Sequence, residues 1–84
     1  MAVMEAIKLG EFTRLASTAK QLSLMAQETE DGKYSIVAID TDKKKAYYVR
    51  HRRHDGERTW RLDRLSALLK DNGLLKFEVR SRCV

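Results

Sequence analysis

Apolar residues recur along this chain with two periods, and the switches between them mark out its elements. From Phe12 to Glu28, Phe12, Leu15, Ala19, Leu22 and Met25/Ala26 return at steps of three and four, with Arg14, Thr18, Lys20, Gln21 and Gln27 largely between them. That spacing puts one apolar stripe on a helix. The Glu30-Asp31-Gly32 cluster ends it, glycine being free to take a left-handed backbone. Tyr34–Asp40 is rich in β-branched residues and apolar on both sides, as a central strand is. Thr41–Lys44 is a turn of the kind in which Asp bonds nearby backbone, and 45–53 is the return strand of a hairpin. A second helix is expected from about Trp60 to Asp71, with Leu62, Leu65 and Leu69 in one stripe, Thr59 as cap and Asn72-Gly73 as stop. Leu75–Arg82 alternates, which points Leu75, Phe77 and Val79 at a core formed with Leu62, Leu65, Leu69, Leu15 and Leu22.

Val3–Leu9 fits a short strand (Val3, Ile7 and Leu9 at period two) and also a helix (Met4 and Ile7), with Gly10 interrupting either. The strand reading makes the order β-α-β-β-α-β, the ferredoxin-like arrangement of an α+β domain. The helical reading makes it α-β-β-α-β. Either order leaves one face of an antiparallel sheet open. The 84 residues are expected to form a single domain over 1–84. A domain of this size is marginally stable alone, so a homodimer is among the expectations.

Charge sharpens the picture. Seventeen Lys and Arg against twelve Asp and Glu leave +5, which makes polyanions the first partner class to consider. The excess is concentrated in Lys43–His54, KKKAYYVRHRRH, where no residue is acidic. If that stretch is a strand, Tyr48, Arg50 and Arg52 share one side. On the last strand, Lys76, Arg80 and Arg82 share the wet side. Together they would make an open basic face with one aromatic, offering cations to phosphates and a ring to bases. Lys43, Lys44 and Lys45 at the hairpin tip could touch phosphates, although a solvated turn or edge protection of the sheet explains such a run as well. The RNA recognition motif is not matched, because Tyr47 and Tyr48 are adjacent and face opposite ways, and 3–9 holds no aromatic.

The remaining candidate chemistry is thin. His51 and His54 have no acidic or cysteine ligand at a metal-binding spacing, and Arg52 and Arg53 flank them. Asp40 and Asp42 suit a turn better than a metal site. No glycine-rich phosphate loop, nucleophile motif or cofactor fingerprint is present. The single cysteine, Cys83, permits no intrachain disulfide and fits a reducing cytosol. The first twelve residues lack the continuous apolar core of a secretion signal, and no apolar run is long enough to span a bilayer. The expectation is a cytoplasmic, non-catalytic DNA- or RNA-binding accessory or regulatory protein, of the kind phages and plasmids carry, without cofactor or metal. The competing expectation is an interaction module docking its basic face on an acidic protein surface. A small nuclease comes third.

Overall fold

The computed structural model describes residues 4–18, 22–30, 32–54 and 56–82. The protein is of the α+β class: a mixed sheet of six strands and two helices. In chain order these are β1 (Met4–Ile7), α1 (Leu9–Thr18), β2 (Leu22–Glu30), β3 (Lys33–Asp40), β4 (Lys45–Val49), β5 (Trp60–Arg61), α2 (Leu62–Asp71) and β6 (Glu78–Arg80). The sheet order is β1-β4-β3-β2-β6, with β5 also pairing β3. The pairs β2–β3 and β3–β4 are antiparallel, while both outer pairs, β1–β4 and β2–β6, are parallel. This differs from the ferredoxin-like expectation in strand number, in order and in its parallel edges.

The largest difference lies in the segment expected as one helix over 12–28. Helix α1 starts earlier, where the Lys8 N–H donates to the Glu11 carboxylate at 3.2 Å, half of a capping box. It ends at Thr18, in a turn where the Ser17 and Thr18 hydroxyls bond back to the Arg14 carbonyl at 2.8 and 3.0 Å. Hydroxyls that engage the backbone in this way compete with helix propagation. Beyond it, Leu22-Ser23-Leu24-Met25-Ala26-Gln27 also alternates at period two. That period wins, because β3 pairs with β2 from Leu22 to Glu30 along a ladder no isolated helix could match. Gly32 (φ +76°) therefore turns a β-hairpin instead of closing a helix. Ala19, Lys20, Gln21 and Asp31 lie outside the described residues, as do Val3 and Cys83.

Register puts Ile7, Leu24, Ala26, Ile36, Ala38, Tyr47 and Val49 on one face, where they form the core with Phe12, Leu65 and Leu69 of the two helices. Both helices thus cover the same side of the sheet. Helix α2 ends as expected: Leu74 N–H reaches the Leu69 carbonyl at 2.8 Å and Gly73 N–H that of Lys70 at 3.0 Å, with Gly73 at φ +78°. This is a Schellman motif. Its cap residue is Arg61, not Thr59, and no side chain caps it.

The C-terminal segment also differs from the alternating strand expected over Leu75–Arg82. Only Glu78–Arg80 is strand, set on the sheet edge beside β2. Leu75 is 79% exposed and Val79 44%, so of the three residues expected inside only Phe77 packs on the core. Paired on one side only, β6 has no second layer to bury its apolar side. The hairpin turn, in contrast, forms as expected: Asp40, itself buried, accepts the N–H groups of Asp42 and Lys43 on Oδ1, both at 3.1 Å.

Candidate functional site

Strands β4 and β5 lie along the same flank of β3, at Val37–Asp40 and at Lys33–Tyr34. They act as one interrupted strand, and the interruption is the most basic stretch of the chain. After Val49 the chain turns out of the sheet, runs through Arg50-His51-Arg52-Arg53-His54, and returns at Glu57-Arg58. The excursion is a small hairpin of its own. Arg50 bridges Glu57, His51 N–H donates to the Gly56 carbonyl at 2.7 Å, and Arg58 N–H donates to the Val49 carbonyl at 2.9 Å. Its base is pinned to the sheet edge by Arg50 N–H on the Ile7 carbonyl at 2.9 Å.

The two histidines organise the tip. Their rings stack at 4.3 Å between centroids and 3° between planes. Each Nδ1 accepts a backbone N–H: His51 from Arg53 at 3.2 Å, His54 from Gly56 at 3.0 Å. Gly56 leaves room for the His54 ring, since a Cβ at that position would lie 2.7 Å from its Nδ1 and push the ring aside. Partial burial of the ring, then the neighbouring charges of His54, Arg58 and Arg53, hold the His51 imidazole below its usual pKa. Both histidines are therefore structural members of the hairpin. Among the described residues, no three His, Cys, Asp or Glu side chains come together as metal ligands.

Between this hairpin and the start of α1 lies a cleft of about 560 Å³ lined by Lys8, Leu9, Gly10, Thr13, Arg50, His51, Arg52 and Arg58. Four of these are cations and none is a carboxylate. The guanidinium of Arg58 sits 5.0 Å from the Trp60 ring centroid, a cation–π contact that fixes its position. Gly10 lines the cleft at the first turn of α1, whose unbonded N–H groups add partial positive charge.

The residues expected on one basic face are distributed over several places. Because β4 stops at Val49, Arg50 and Arg52 leave the sheet and line the cleft. Tyr48 and Arg80 instead share a shallow groove of about 550 Å³ on the face the helices leave uncovered. That face is dominated by Met4, Met25, Val37, Ile39 and Tyr48, not by cations. Lys76 lines a third depression beside β2 and β6, with Leu22 and Phe77. Arg82 lies past β6, its backbone N–H held by Glu28 Oε1 at 2.8 Å. Together with the Gly32 N–H, this bond draws the Glu28 carboxyl below the usual range. Lys43 and Lys44 sit in the turn at the end of the β3–β4 hairpin and Lys45 opens β4. Sequence reasoning missed Lys8 and Arg58. The Asp-Gly dipeptide at 55–56 marks a loop over 54–58 in the sequence, but it does not show that residues 50–58 fold back beside the start of α1.

No protein-family model, curated protein or solved structure matches this chain. Among the described residues, no helix is long and apolar enough to cross a membrane.

Proposed function

We propose that this protein binds nucleic acid, without catalysis, through the basic hairpin at 50–58. The observation that carries the reading is the convergence of Lys8, Arg50, Arg52 and Arg58 on one cleft, with no carboxylate among the described residues that line it. Four cations around a hollow suit the phosphates of a DNA or RNA backbone, which supply most of the affinity of such contacts and carry little sequence information. Arg53, exposed at the tip, extends the same charge outward. A rigid base with an exposed tip is the geometry that lets cations reach a backbone while the sheet edge holds them in place.

The site differs in emphasis from the basic sheet face expected from sequence. Tyr48, Lys76, Arg80 and Arg82 lie away from the cleft and form the secondary candidates, with the Lys43–Lys45 turn. The deciding experiment is a salt titration of labelled duplex and single strands. With about four phosphates neutralised, log affinity falls against log salt with a slope of roughly −3 to −4. Arg52→Ala and Lys8→Ala each flatten the slope by about one contact, whereas Lys76→Ala and Arg82→Ala leave it nearly unchanged. Equal effects from both groups return the site to the sheet. Weak, salt-insensitive binding by the wild type removes nucleic acid altogether and leaves an acidic protein surface as the partner of the hairpin.

A further inference from the structure

The sheet face opposite the helices carries a second surface, independent of the basic hairpin. Its residues stand in rows set by the register. One row runs Tyr48, Val37, Met25, Glu78, and the next runs Met4, Ala46, Ile39, Ser23. A third joins Ser35, Gln27 and Arg80, and Glu57 lines the same groove from the β4 side. The middle is apolar. Met4 is 49% exposed, and Met25, Val37, Ile39 and Tyr48 are only half-buried. Besides Glu78 at the β6 end of the first row, the rims carry opposite charges: Glu57 on the β4 side of β3, Arg80 on β6 beyond β2. Among the described residues neither side chain meets an opposite charge within 4 Å.

We propose that this face is the interface of a homodimer, two copies packing sheet to sheet about a two-fold axis that runs along the strands above β2 and β3. The charge pattern argues for a second copy over an unrelated partner, because it is complementary to itself under that operation. The axis exchanges the β4 side with the β6 side, so Glu57 of one copy meets Arg80 of the other, twice. Sizes match as well: Ile39 comes to lie over Ser23 and Val37 over Met25, so large side chains face small or flexible ones. The molecule measures 32 × 29 × 27 Å. A contact over most of such a face approaches the ~800 Å² per partner of a standard interface. An axis along the strands also sends both basic hairpins out from the same end of the dimer.

Sedimentation equilibrium over a concentration series tests this on the whole chain. The wild type is expected to associate reversibly to a dimer. Glu57→Arg or Arg80→Glu alone should weaken the dimer by about tenfold, since each places like charges together at two symmetric positions. The double exchange Glu57→Arg/Arg80→Glu should bring it back to near wild-type strength. Val37→Lys, with folding checked by circular dichroism, should give a monomer. A wild type that stays monomeric up to its solubility limit overturns the proposal and assigns the face to another partner. A dimer that the double exchange fails to restore overturns the pairing.

Discussion

Leu65 and Leu75 carry the same side chain ten positions apart, and the structure assigns them opposite energetic roles. Leu65 sits on the buried side of α2 with no exposed surface, among Phe12, Ile36, Val49 and Leu69. Leu75 follows the Schellman turn and keeps 79% of its surface in water. Truncating Leu65 to Ala removes buried carbons and leaves a cavity that a sheet and two helices close only in part, a cost of ~3–5 kcal/mol. Truncating Leu75 loses only the covered fifth of a side chain whose full burial is worth ~1.5–3 kcal/mol, hence at most about 0.6 kcal/mol. A chain of this length has a total stability of roughly 4–13 kcal/mol. Urea unfolding followed by Trp60 fluorescence reads the difference. With m of ~1 kcal/mol/M for a small domain, Leu65→Ala lowers the midpoint by about 3–5 M or unfolds the protein outright. Leu75→Ala moves it by no more than about 0.6 M. Comparable shifts from the two variants would refute the exposed assignment of Leu75 and restore the fully alternating last strand.

The other expectations concern the turn and the histidine stack. Asp40→Ala frees two backbone N–H groups in the β3–β4 turn and should cost ~1–3 kcal/mol, while Asp40→Asn, which keeps an acceptor oxygen, should recover most of it in the same urea assay. His51 should titrate by NMR below the ordinary histidine value, and His54→Ala should move it back upward, because the stacked partner's charge is then gone. Since the native pKa is the lower one, the unfolded hairpin takes up the proton more readily. Local order at 50–58 should therefore be full above the ordinary histidine range and fall as the pH drops through the native His51 value. Hydrogen exchange at His51 and Arg58 that is insensitive to pH, after correction for intrinsic rates, would contradict this.

Particular residues show where local chemistry sufficed. The β3–β4 hairpin was legible because Asp40 makes its turn bonds within three residues of chain, and the α2 stop because Asn72-Gly73 supplies the backbone the Schellman motif needs. The α+β class followed from such local signals, and the concentration of charge at 43–54 is read directly from the sequence. Leu22–Glu30 was not legible, since the same apolar positions satisfy a helical and a strand period. Only the partner strand β3, and β6 arriving from the far end of the chain, decide between them. Nor could sequence show that β4 ends at Val49, which takes Arg50 and Arg52 off the sheet and sets them beside Lys8, about 40 residues earlier in the chain. Strand pairing and burial are properties of segments brought together across the chain, and a periodic pattern specifies which faces are apolar without specifying what will cover them. The helices covered one face of this sheet, and the tertiary structure alone decided that the other would be left as an apolar groove with a charge of each sign at its rims.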